Sequence, residues 1–185
     1  MAGFGLDLSQ GSYDHNGKLE SYDVDAAHAT LLAPGDVVVL TGTSNAEGVA
    51  GVDAGSAGAA ITGVVAAFEP IFAGEQLSET GLPASTGGTA LCHIDPNLNF
   101  IVDVSNGTLS ATDVGLNADA AFTAATKSGG LTISNMTLDA GTALGTSTLQ
   151  FRIVGLAPND SGVVDGTRAR VRFNNTTVRS GTAGV

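Results

Sequence analysis

The sequence predicts an all-β chain: a compact β-barrel or β-sandwich with an extended N-terminal arm and little helix. Three observations carry this. Short β-branched runs recur, beginning with Val37-Val38-Val39-Leu40 and Ile61-Thr62-Gly63-Val64-Val65. The tracts between them are rich in Gly, Ala, Ser and Asn, which suit tight turns and close backbone approach. No stretch sustains the 3.6-residue apolar period of a long helix.

Residues 1–30 read as the arm. Phe4, Leu6 and Leu8 alternate with Gly and Asp, and Asn16-Gly17 is a tight-turn dipeptide. A segment of this kind needs a partner surface to order it, so Phe4, Leu6 and Leu8 are expected to pack on a neighbouring subunit.

Residues 31–80 read as an N-terminal β lobe. Pro34-Gly35-Asp36 is a turn, and Val37 to Thr41 follows as a strand. Gly48 to Val52 is a second short strand. Ala60 to Phe68 is a third, apolar on both faces and therefore central. Pro70 ends it, and Ile71 to Leu77 is a candidate fourth. The polar connector over residues 78–88, with Gly and Pro, marks the boundary between lobes.

Residues 89–175 read as a C-terminal β lobe. Ala90 to Ile94 and Phe100 to Val104 are strands around the turn Asp95-Pro96-Asn97. Asn106-Gly107 is a hairpin turn leading into Thr108-Leu109-Ser110. Asn117 to Thr126 admits either a helical turn or a strand, and Ser128-Gly129-Gly130 breaks the chain again. In Leu149 to Ile153, Leu149, Phe151 and Ile153 face one side, with Gln150 and Arg152 on the other. In Arg168 to Phe173, three Arg alternate with Ala, Val and Phe, the period of a half-buried strand. Asp165-Gly166 supplies the turn before it, and residues 176–185 form a tail.

Composition narrows the function classes. Hydrophobic residues are 43% of the 185, enough for burial to drive folding. Charged residues are 14% and aromatics 5%, with no Trp, a sparse supply of catalytic groups and stacking platforms. The 26 Gly follow no Gly-X-Y period, which excludes collagen. The net charge of −11 argues against nucleic-acid binding, because phosphates would be repelled. That charge is segregated: residues 1–126 hold 15 acids against Lys18 alone, and residues 127–185 hold six bases against three acids.

No cationic segment followed by an apolar one opens the chain, and no run approaches the roughly 20 apolar residues that span a bilayer. The expectation is a protein made in a cytoplasm, with no membrane partner. Cys92 has no partner for an internal disulfide, and its apolar setting reads as a buried small hydrophobe.

Catalytic and metal motifs are missing. His15, His28 and His93 form no zinc-ligand spacing, so a zinc site would need distant single residues. Asp14 to Glu20 matches part of a calcium loop but lacks its third acid and terminal Glu. Asp7, Asp23 and Asp25 could chelate a cation if the arm folded back, although turn formation explains the same residues. Gly-x-Ser-x-Gly and the P-loop pattern are absent. No carboxylate pair sits in an aromatic-lined groove suited to glycoside hydrolysis. The expectation is a non-enzyme with no cofactor and no metal.

One constellation has direction. Arg168, Arg170 and Arg172 stand about 6.5–7 Å apart along one strand face. Three cations in a row repel one another unless acids oppose them. Those acids belong either to a partner protein, as bidentate pairs, or to this chain's own neighbouring strand.

The run from Pro34 to Gly42, the Gly/Ala/Asp tract after it, and Gly58 to Val65 resemble the strand pairing of head decoration (cement) proteins of tailed bacteriophages. Asn99 to Val104 with Thr112 to Asn117 is similar to phage virion structural proteins. So is Leu149 to Leu156, followed by Asn159 and the strand Val171 to Asn174. The resemblance covers residues 31–175, with 89–175 as an added lobe. It implies a β-tulip-like fold without catalytic residues. It also implies a place on the outer capsid surface of a virion assembled in a bacterial cytoplasm. There the protein would bind the major capsid protein as a homotrimer. Phe4, Leu6 and Leu8 of the arm and Arg168, Arg170 and Arg172 of the arginine strand are the expected contacts. The alternatives are a minor tail, fibre-associated or adhesin protein and, further off, a carbohydrate-binding β module.

Overall fold

A computed structural model describes residues 3–7, 19–69, 72–73, 76–77, 80–141 and 144–177. In chain order the strands begin with β1 (Gly5–Leu6), β2 (Leu19–Val24), β3 (Val37–Ser44), β4 (Ala50–Ala54) and β5 (Gly63–Phe68). Next come β6 (Phe72–Ala73), β7 (Gln76–Leu77), β8 (Gly88–His93), β9 (Asn99–Ser105), β10 (Asn117–Ala118) and β11 (Ala120–Ala121). The last are β12 (Thr126–Ser128), β13 (Leu131–Ile133), β14 (Thr137–Asp139), β15 (Phe151–Leu156) and β16 (Arg168–Phe173). The expected all-β fold is what forms; among the described residues the only helix is a 3-10 turn at Ala111–Asp113.

Five strands close a barrel in the order β2-β4-β3-β5-β8. The larger sheet runs β10-β15-β16-β9-β14-β11, with β1 added along β9. Two small hairpins, β6-β7 and β12-β13, complete the pairing.

The apolar runs of β3 and β5 owe their composition to their position. Val38 and Val65 point into the barrel with Val24, Val52, Ala90 and Cys92. Val37 and Val64 point the other way, into a core shared with Phe100, Val102, Phe151 and Val171 of the larger sheet. Each strand is thus a wall between two cores, and both of its faces must be apolar. The turn feeding β3 fits its letters. Asp36 N–H donates to Ala33 O at 3.0 Å, and Gly35 adopts φ of 91°, the positive value a type II turn needs after Pro34.

Several expectations are corrected. Residues 3–7 and 19–30 are built into the fold and do not form an arm awaiting a partner. Phe4 is 3% exposed and stacks on Phe151 at 4.6 Å between ring centroids, and β2 is a barrel stave. The 78–88 connector is no boundary. Leu82, in its described part, is fully buried and bridges Leu32, and β8 returns to the barrel. The chain passes from the barrel to the larger sheet after β8, through the Asp95–Leu98 turn. Asn106-Gly107 does turn the chain, but Thr108 to Ser110 is not a strand. Asn117 to Thr126 is extended, not helical. The tail begins as part of the fold, since Asn175 O accepts from Ile61 N–H at 3.1 Å and Thr176 is buried.

Gly166 holds the loop before β16 against the chain at Leu109. Its φ is 80°, and a Cβ there would run into the Leu109 carbonyl. Gly166→Ala is therefore expected to cost about 2 kcal/mol or more in urea denaturation, combining backbone strain with a collision that cannot relax. Gly162→Ala, at φ of 78° with open space around it, should cost only about 1 kcal/mol. Equal losses at the two sites would show that the Leu109 contact is unimportant.

Candidate functional site

Strand β16 sets the arginine row. Ala169, Val171 and Phe173 are buried in the shared core, so Arg168, Arg170 and Arg172 project from the opposite face. For two of the three arginines the counter-charge comes from this chain itself.

Arg168 is held within the chain. Its Nε donates to Asp103 Oδ1 at 2.7 Å, where Asp103 is its register partner on β9. Its Nη1 donates to Asp160 Oδ1 at 2.8 Å. The bond to Asp160, then that to Asp103, raises the arginine's pKa, and the same bond holds the Asp160 carboxyl below its ordinary range. Arg170 Nε donates to Asp7 Oδ2 at 2.8 Å, and the Asp7 side chain is fully buried. Asp7 reaches this place because β1 lies along β9 and its own N–H donates to Asn99 O at 2.8 Å.

Arg172 differs. Its Nε is buried without a hydrogen-bond partner. Its register partners are Arg152 on β15 and Asn99 on β9. Arg152 Nε donates to the Gly115 carbonyl at 3.2 Å. Asn99 Oδ1 is a second buried atom without a partner. A line of two guanidiniums and an amide thus crosses β15, β16 and β9.

Of the other residues singled out, Phe4 lies in the core and Leu6 is half-buried against it, while Leu8 and His15 fall outside the described residues. Asp7 meets Arg170 and is not brought to Asp23, which sits on β2 opposite Gly51. No group of three His, Cys, Asp or Glu able to hold a metal forms among the described residues. Cys92 is buried, and burial pushes its thiol up to about 12, far from a reactive thiolate.

Three residues escaped the sequence reading. In the sequence Asp7 reads only as a chelator. Arg152 reads as a strand-face residue, and nothing local makes it Arg172's neighbour. Gln150, on the outer face by alternation, is fully buried and ties the 56–59 loop to β11. Its Nε2 donates to Ser56 O at 2.8 Å and Ala59 O at 2.9 Å, and its Oε1 accepts from Ala120 N–H at 3.0 Å.

The chain matches no protein-family model, and no curated protein or solved structure matches it.

Proposed function

We propose that this protein is a capsid decoration protein, binding the outer surface of a phage head and bridging major capsid protein subunits. The observation that supports the reading is where the resembling stretch falls. Residues 37–68 supply three contiguous staves, β4-β3-β5, of a closed barrel. A closed barrel has no free strand edge, so it is a stiff body that does not polymerise through its own backbone. Anything that binds assembled shell better than free subunits stabilises the shell by mass action, and a stiff body does so with little ordering cost. The reading assigns no catalysis to the chain.

Copy number in purified virions, with an image of where the copies lie, tests this. The expected result is many copies spread over the head. A few copies at one vertex would favour a minor tail or fibre role instead. Absence from virions would remove both.

A further inference from the structure

We infer that residues 3–7 form a latch on the fold, and that the charge state of Asp36 sets how often it opens. The latch rests on two residues next to the Asp36 carboxyl. Phe4 N–H donates to Gly35 O at 3.0 Å, and Gly3 packs so close to Ser134 that a Cβ on it would strike that side chain. Gly35 directly precedes Asp36 in the turn, and the Ser134 hydroxyl stands beside the carboxyl. The carboxyl itself is fully buried. Its Oδ2 accepts from Ala33 N–H at 2.7 Å, and its Oδ1 has no hydrogen-bond partner. Protonated, the group is neutral and its burial costs little. Ionised, it is a charge kept from water with one oxygen unmatched, so any opening that lets water in is favoured. Among the described residues no cation is placed to offset that cost. The side chains lining the cavity beside Asp36 are apolar or Thr, with Leu32, Phe122 and Met136 the largest. The charged residues on adjoining segments are engaged elsewhere: Asp7 with Arg170, and Asp53 with the Ala54 N–H at 2.6 Å.

The far end of the segment is tied to the larger sheet. β1 pairs with β9 at Gly5 and Leu6, Asp7 N–H donates to Asn99 O at 2.8 Å, and the Asp7 carboxylate accepts from Arg170. Lifting the latch therefore bares the β9 edge at Phe100 and Ile101 together with the Arg170 guanidinium, a free strand edge beside a cation. The direction with pH follows from burial, which pushes the Asp36 carboxyl from 3.8 up to about 6. The closed latch favours the protonated form. It is tightest in acid and opens more often as pH climbs through 6.

Amide hydrogen exchange of the full chain between pH 4.5 and 7 reads this directly. The Phe4 and Asp7 amides are expected to exchange by local opening, faster than the Val104 amide, which donates to Thr167 O at 2.8 Å. After correction for the intrinsic rise of exchange with pH, their opening should increase about twentyfold over that range. Asp36→Asn should remove the increase. Linkage is reciprocal, so Phe4→Ala, which deletes the stacking on Phe151, should lower the Asp36 midpoint towards 3.8, read from its carboxyl carbon resonance. Phe4 and Asp7 amides as well protected as that of Val104 would overturn the inference. So would an opening that does not change with pH in wild type, an increase that survives in Asp36→Asn, or an Asp36 midpoint unmoved by Phe4→Ala. The latch does not rest on the capsid reading, and the two fail separately.

Discussion

Replacing Gln150 by Met is expected to lower stability by about 2–6 kcal/mol and the melting temperature by roughly 5–20 °C. The side chain is fully buried and lies just before β15. Its amide group satisfies two carbonyls of the 56–59 loop and the N–H of Ala120, 30 to 94 residues away in sequence. Methionine keeps the volume and removes the hydrogen bonds, so the buried Ala120 N–H and the half-buried Ala59 carbonyl lose a partner at about 1–3 kcal/mol each, while the exposed Ser56 carbonyl keeps its bond from Ala59 N–H. The Gln150 backbone stays paired, with its N–H donating to Asp119 Oδ1 at 3.1 Å and its carbonyl accepting from Asn174 and Asn175. Thermal and urea denaturation would measure the effect, and a loss under 1 kcal/mol would mean that water replaces the amide without strain.

Stability is expected to fall as pH rises from about 4 to about 6.5, opposite to the usual behaviour of a carboxylate-rich protein. Asp36 is responsible. It is fully buried, Oδ2 accepts from Ala33 N–H at 2.7 Å, and Oδ1 has no hydrogen-bond partner. Burial pushes its carboxyl from 3.8 up to about 6, with the nearby Ser134 hydroxyl and the Ala33 N–H opposing the rise. A folded-state pKa above the unfolded one means that folding favours the protonated form. The contribution is therefore whole below pH 3.8 and is lost as pH climbs through 6, by about 3 kcal/mol in total. Asp113, Asp160 and Asp165 work in the other direction, their hydrogen bonds holding them below 3.8, so they act only at more acid pH. Asp36→Asn keeps an acceptor for Ala33 and should flatten the slope between pH 4.5 and 7. Denaturation free energies across that range decide it, and a flat wild-type profile would show that Asp36 ionises freely in the fold.

Much of the barrel was legible because its strands are extreme. Walls with a core on each side must be apolar throughout, and Val37 to Leu40 and Val64 to Phe68 show that in the sequence. The alternation of β16 was equally plain, and its three arginines do share one face. Strand β2 was not legible, because Leu19 to Val24 mixes Glu, Ser, Tyr and Asp and its first half is exposed. Phe4 misled for a related reason. An apolar residue between glycines near a chain end looks unsupported, yet its partner, Phe151, lies 147 residues on. Gln150 is the clearest limit of local reading. Alternation assigned it to solvent, and only a loop from the barrel, folded over it, makes the position interior. The division within the arginine row was hidden likewise, since Asp7 reaches Arg170 only through the pairing of β1 with β9.

The walls shared by the two cores also bear on how such a chain changes over generations. Val37 and Val64 complete an interior most of whose other members come from residues 98–173. Cutting the chain after β8 would bare that apolar face and strip Phe4 of its stacking partner. Neither half is a portable module that recombination could pass intact to another protein. New features are easier to graft at exposed tips such as Ser161 to Val164, where insertion leaves both interiors untouched. Descent of this architecture would be expected to show in its loops, with the barrel and sheet inherited together or not at all.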